Sequence, residues 1–433
     1  MASRAALILI VLINAGLLHA QMPGMTAMEN SVGFISSGTS VEPTTTSESA
    51  PMIHTSLGNW TLMFHANAFL IDMQQTGPRG ADKLFSINWF MPMVSRDFGR
   101  HTITFRTMLS LEPATVTKRR YPELFQSGET AYGLPIVDGQ HPHDLIMEIS
   151  GRYDFRVNDR ARIFVYGGPV GEPALGPTAY PHRASASENP VAVLGHHQED
   201  STHRSNSVIT LGFTQGRVQL EASTFHGREP DENRWNIDGG KPDSFSSRLI
   251  VGLTKNLSGQ FSMGRINNRE AMEPGLDTLR TTASIHHNAR FSRGHASSSL
   301  IWGRNKDMPG HGEGIFNVYT AESTVNFLDR NWIWTRIESV DRDRTLLAGE
   351  KAVALTIGED PIGRVQAFTF GYERDLPIGI SSLNLGFGAQ VTTYWLARVL
   401  RPIYGDHPAG LAVFLHLRPT GNIAGHMQMM HQH

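Results

Sequence analysis

From residue 57 to 419, apolar and polar side chains alternate with period two in segments of about ten residues. This is the signature of strands with one greasy and one wet face. In the first segment Trp60, Leu62, Phe64, Ala66, Ala68 and Leu70 share one face, while Thr61, Met63, His65 and Asn67 share the other. Ile103, Phe105, Leu109 and Leu111 likewise oppose Thr104, Arg106, Ser110 and Glu112. Leu145, Met147, Ile149, Tyr153 and Phe155 oppose Glu148, Ser150, Arg152 and Asp154. Alternation alone also suits a soluble sandwich, so the connections have to decide.

Strands are predicted to start near Asn59, Asp82, His101, His143, Arg160, Asn206, Arg217, Ser244, Ser258, Leu279, His295, Asn317, Asn331, Arg364, Ile380 and Ala409. That is about sixteen, an even number. Every second joint is a tight turn rich in Gly, Asn, Asp and Pro, at 97–100, 158–160, 215–216, 255–258, 292–294, 329–331 and 377–379. The joints between them are long, at 74–81, 113–142, 167–205, 228–243, 268–278, 305–316, 339–363 and 396–408. Strict alternation of short and long joints predicts an all-β fold, a single up-and-down antiparallel transmembrane β-barrel with elaborate loops on one rim. One departure is the last strand, Leu411 to Leu417, which is followed by a tail instead of closing the chain on an aromatic residue.

The ends complete the organisation. Residues 1–20 carry Arg4, an apolar run from Ala5 to Leu18 and the small-residue ending Leu18-His19-Ala20, the pattern of a cleaved secretory signal. Residues 21–56 are rich in Met, Ser and Thr with little periodicity, and are expected to be an extended, poorly ordered periplasmic segment. Residues 420–433 form a His- and Met-rich tail. An even strand number returns the chain to its starting side, so both ends are expected in the periplasm, with the barrel in a bacterial outer membrane.

Composition removes some functions. The 433 residues carry a formal charge of −2, which points to no nucleic-acid partner, and they contain no cysteine, so any metal would depend on His, Met, Asp or Glu. No G-x-S-x-G elbow, P-loop or dinucleotide fingerprint is present. Ser201 beside His203, or Ser185 beside His182, is the nearest approach to a hydrolase pair.

The long loops hold His141, His143, His182, His196, His197 and His203 among acids such as Asp138, Asp144, Glu188, Glu199 and Asp200. Imidazole with carboxylate suits Zn, Cu, Ni or Fe ions, and these six histidines are expected to converge near the barrel mouth. No spacing matches a defined metal motif, and the alternative is a hydrogen-bonded plug with acids paired to arginines. The ends offer Met22, Met25 and Met28, and then His426, Met427, Met429, Met430, His431 and His433. Thioether and imidazole together suit copper. The wet strand faces are expected to line the lumen with both signs, through Arg106, Arg152, Arg162, Arg248 and Arg280 against Glu112, Glu148, Glu221 and Glu322.

The runs GPRGADK, LSLEPATVTKRRYPELFQSGETAYG, DGQHPHD, GEPALGPTAYPHRAS, HHQEDSTH and FHGREPDENRWNID resemble a family of bacterial envelope proteins. The resemblance covers nearly all of the chain beyond residue 20. It implies an outer-membrane protein without an assigned activity, of a kind sometimes found beside copper-tolerance genes and sometimes bearing Met- and His-rich ends. The first expectation is therefore a porin-like channel or transport component for small solutes or metal ions, connected with copper and set among outer-membrane lipids, alone or as an oligomer. The second is a non-conducting metal-binding or structural barrel with a loop plug. The third is a barrel-embedded hydrolase.

Overall fold

The structure is a computed structural model that describes residues 32–269, 275–308, 314–343, 345–348 and 363–420. A two-stranded ribbon, Phe34–Ile35 (β1) with Val41–Glu42 (β2), precedes the wall. The first wall segments are Met52–Leu57 (β3), Trp60–Gln75 (β4), Lys83–Phe98 (β5) and His101–Leu109 (β6). A hairpin of Tyr121–Ala131 (β7) and Leu134–Gln140 (β8) leaves the wall, and β6 pairs directly with Ile146–Asn158 (β9). The wall then continues through Ala161–Gly171 (β10), Ser205–Gln215 (β11), Val218–His226 (β12), Ser244–Thr254 (β13), Leu257–Ile266 (β14) and Thr278–Phe291 (β15). It finishes with Gly294–Asp307 (β16), Ile315–Phe327 (β17), Asn331–Arg342 (β18), Gly363–Leu376 (β19), Leu383–Leu396 (β20) and Ala409–Pro419 (β21).

Sixteen of these strands close one antiparallel barrel. At the seam β4 serves two neighbours. Its second half, Ala68 to Gln75, pairs with β21, and its first half, Trp60 to His65, pairs with the short β3. Together β21 and β3 cover that edge of β4 except at Ala66 and Asn67. Among the described residues no helix is long and apolar enough to cross a membrane.

The outward face carries the large apolar side chains, with Leu211 58% and Phe245 63% exposed. Inward, the alternation departs from expectation between β4 and β5. Phe69, Ile71, Met73, Phe85 and Ile87 face the lumen, where a wet surface is predicted, and pack against Val116 and Tyr121 of the loop beyond β6. Nearby, Leu124, Phe125 and Val137 of the hairpin pack on Val318, Val340 and Val365 of the far wall. An apolar inner face is stable here because protein, not water, fills the barrel.

Candidate functional site

The lumen is occupied from both rims. From the long-loop rim, residues 172–204 run inward. Pro173, Pro177, Pro181 and Pro190 keep regular structure in this stretch to single helical turns such as His196–Glu199, so many of its backbone groups must find partners on the wall. The wall supplies them. Ala174 N–H donates to Ser223 Oγ (2.8 Å) and Gly176 N–H to Ser262 Oγ (2.9 Å). Leu194 N–H donates to Glu338 (2.6 Å), and Thr324 Oγ1 donates to the Ser185 carbonyl (2.8 Å). Arginines take the remaining carbonyls: Arg248 binds that of Gly176, Arg280 that of His197, Arg336 those of Val191 and Ala192, and Arg342 that of Leu194.

At the centre Arg183 Nε lies 2.6 Å from Glu322, and its Nη1 lies 3.3 Å from Asp200. Arg336 holds the other oxygen of Glu322 at 2.9 Å. Two guanidiniums thus meet two carboxylates, and Ser185 Oγ adds a hydrogen bond to Glu322 at 2.9 Å. A buried ion cluster of this kind holds position more than it adds net stability. Ser185 is thereby committed to Glu322 and to Ser299 (2.7 Å), not to His182.

From the short-turn rim, residues 32–50 of the expected lead-in also enter the barrel, while residues 21–31 lie outside the described residues. Arg106 Nη2 donates to the Gly38 carbonyl (2.7 Å), Gln219 to the Thr39 carbonyl (3.1 Å) and Arg248 Nη2 to Thr39 Oγ1 (2.9 Å). The two inserted segments touch. Ser36 Oγ donates to the His182 carbonyl (2.7 Å), Ala179 N–H to Ser37 Oγ (3.1 Å) and Ala184 N–H to Glu42 (3.2 Å). Gly38 has φ +49°, and a Cβ there would stand 2.6 Å from that of Glu172, so close approach and backbone conformation both require glycine. Burial pushes the Glu42 and Glu172 carboxyls up to about 8, and Glu199 equally.

The residues expected to line a pore mostly face inward, but Arg106, Arg248, Arg280 and Glu322 hold the filling and the others pair within the wall. Glu221 pairs with Arg248 at 2.8 Å, and Glu148 lies 3.7 Å from Arg106 and accepts from Tyr166 at 2.8 Å. Arg152 pairs with Asp154 at 2.8 Å, and Arg162, half exposed at the short-turn rim, lies 3.7 Å from the same acid. Glu112 is not on the wall: β6 ends at Leu109, and Glu112 opens a short helical turn, fully buried. There it accepts from the backbone N–H of His143 (2.8 Å) and pairs with His143 Nδ1 (2.9 Å).

Of the six loop histidines, His143, His196 and His203 surround Tyr180, with ring centroids 5.1 Å apart for His196 and His203 and 5.5 Å for His143 and His203. His197 lies 5.4 Å from His196. Acids hold most of them: His141 with Glu129 at 2.7 Å, His196 with Asp200 at 2.7 Å, and His197 near Glu229 at 3.5 Å. Burial pushes His196 down and His203 to about 3, whereas Glu112, working against burial, raises His143. His182 stands apart from this ring, 5.6 Å from His65 and 4.4 Å from Trp89.

Among the described residues, the one set of three His or acidic groups whose ligand atoms all lie within 4.8 Å of each other is Glu188, Glu373 and His416. A cation is already there. Arg418 contacts Glu373 and His416 and lies 3.4 Å from Glu188, so this is a closed ion cluster. Met22, Met25, Met28 and the tail from His426 to His433 lie outside the described residues.

At the long-loop rim a cavity of about 630 Å³ is bordered by Glu129, His197, Glu229, Arg234, Trp235 and Arg342. Deeper spaces between loop and wall are small, about 30 Å³ beside Tyr180 and about 20 Å³ beside Glu338. Each has room for about one water. Sequence reasoning missed Arg336, Glu338 and Arg342, although period two from Trp334 already placed them on the inward face of β18.

The chain is similar in structure to an anion-selective porin from Comamonas acidovorans, with 13% identity, 83% of this chain and 99% of the porin covered, and a TM-score of 0.50. OmpF of Salmonella typhi, solved in complex with daunomycin, is 8% identical, with 84% and 99% covered and a TM-score of 0.47. A loop-deleted OmpT, an outer-membrane protein of Vibrio cholerae, is 7% identical, with 83% and 99% covered and a TM-score of 0.46. No family model and no curated protein sequence matches the chain. The likeness is one of fold, the closed sixteen-stranded barrel of bacterial outer-membrane porins.

Proposed function

We propose that this protein is an outer-membrane, porin-like barrel whose passage is closed at rest by residues 172–204 and opens for small solutes when that loop leaves the wall. The observation that carries the proposal is the arginine-held loop crossing the lumen at the level of Arg183 and Glu322. The apolar outer face supports residence in a bilayer, and the mixed charge of the inner wall supports no strong preference for one ion sign. The test uses a reversible tether. Ser185 and Ser299 hydroxyls lie 2.7 Å apart, and the chain has no cysteine of its own. In planar bilayers the Ser185→Cys, Ser299→Cys protein should show no openings when oxidised and should regain those of the parent when reduced. Openings unaffected by the tether would overturn the proposal.

A soft-metal connection is proposed on the residues of the two ends alone. Thioethers and imidazoles at Met22, Met25, Met28 and from His426 to His433 suit Cu(I). Replacing the six methionines by leucine and the three histidines by glutamine should weaken Cu(I) binding and lower the copper tolerance of cells. Unchanged binding and tolerance would make the ends passive.

A further inference from the structure

Six of the nine methionines among the described residues stand together on one part of the inner wall. The register builds two rows there. His65 lies between Met52 and Met91, and Met63 between His54 and Met93, across β3, β4 and β5. Directly opposed side chains in a ladder have Cβ atoms about 4.5–5.5 Å apart, so each imidazole has thioethers on both sides or beside it. Met108 and Met147, both buried, join Met91 around Trp89. The inserted loop then adds His182, whose Nε2 is 3.3 Å from Met108 Sδ and whose ring is 5.6 Å from that of His65. The other ring nitrogen of His182, Nδ1, is buried without a partner.

Methionine is a common filler of irregular cores, and packing alone would explain one or two. It does not explain two imidazoles brought within 5.6 Å of each other beside that thioether cluster, His65 by the wall next to Met91 and His182 by the loop next to Met108. Higher on the same strands, where only packing is at stake, the inner face uses Phe69, Ile71, Phe85 and Ile87 with a single methionine, Met73. The nearby charges are engaged: Glu148 accepts from Ser150 and Tyr166, and Arg106 donates to the Gly38 carbonyl.

We propose that this ladder is a binding site for a soft monovalent cation, Cu(I) or Ag(I), held by His65, His182, Met91 and Met108, with the His54, Met63, Met93 row leading to it from the short-turn rim. Neutral sulfur and nitrogen donors in a dry setting favour a singly charged soft ion over a divalent one, which needs anionic ligands. The proposal does not rest on conduction, since a barrel that never opens would hold the ion equally well.

Ag(I) is the probe because it needs no reductant. Binding is measured by calorimetry on the full-length protein in detergent, with silver X-ray absorption to identify the donor atoms. Because the ends also carry Met and His, the parent is the protein with its six terminal methionines changed to leucine and three tail histidines to glutamine. This parent should bind one Ag(I) with both sulfur and nitrogen in its first shell. Adding Met91→Leu and Met108→Leu, which conserve volume, should weaken binding by about tenfold or more, the scale of losses in a metal's surroundings. Unchanged circular dichroism would establish that the barrel still folds. Failure of the parent to bind silver, a shell without sulfur, or equal affinity in the leucine variant would each overturn the site while leaving the channel proposal untouched.

Discussion

Arg183, carried on a loop, holds its Nε 2.6 Å from Glu322 of the wall strand β17, and neither side chain is more than 1% exposed. Removing Arg183 leaves Glu322 to Arg336 alone and Asp200 to His196, so the cost should approach but not exceed the roughly 3–5 kcal/mol of a broken buried pair. Arg183→Met should therefore release residues 172–204 from the wall while the strands stay paired. Hydrogen exchange is expected to rise across the loop and to stay slow in β17 and β18. Unchanged protection in the loop would show that the pair does not anchor it.

The buried carboxyls give the filling a pH dependence. Glu42, Glu172 and Glu199 keep their protons up to about pH 8 in the inserted state, against an ordinary value of 4.5 in water. Insertion therefore takes up protons between these values. The contribution is fully present below pH 4.5 and is lost as pH rises towards 8. His203, pushed down to about 3, opposes this slope only close to pH 6.5, where its released ring is still partly protonated, and one ring is outweighed by three carboxyls. Exchange of residues 172–204, corrected for its intrinsic rate, should be faster at pH 9 than at pH 6.5, and Glu42→Gln with Glu172→Gln should flatten the difference. Slower exchange at pH 9 would contradict this sign.

The outward face has its own test. Leu211 sits mid-strand in β11 and is 58% exposed, so in a bilayer it contacts hydrocarbon. Leu211→Arg should destabilise the barrel by about 2–4 kcal/mol in vesicle folding titrations, as a cationic residue near the midplane does. A neutral effect would place that face in water.

The wall was legible because period two survives wherever lipid lies outside. The starts expected at His101, Ser244, Asn331 and Ala409 are the observed ones, and Ile380 and His143 fall within three residues of Leu383 and Ile146. A loop plug with arginines paired to acids was legible as one reading, and Arg183 does pair with Asp200 and Glu322, but the path of the filling was not. Residues 172–204 and 32–50 have no period, and their structure is fixed by distant wall groups such as Ser223, Ser262 and Arg248 that no local pattern announces. The hairpin β7–β8 was hidden for the same reason, since its apolar side chains face Val318 and Val340 across the lumen and not a sheet neighbour. One sign was available: the uninterrupted run Phe69, Leu70, Ile71 on β4 is apolar on both faces, which fits a wall with protein on the inside. The histidine cluster was visible as composition, but which rings meet around Tyr180 depends on two loops folding together.

The most direct test of a loop-closed barrel is planar-bilayer conductance of the intact protein beside a variant in which residues 176–202 are replaced by a short Gly-Ser linker. The intact protein should hold a closed baseline with brief openings, and the variant should conduct steadily, as a sixteen-stranded lumen relieved of the loop that crosses it would. Steady conductance of equal size from both proteins would contradict the account.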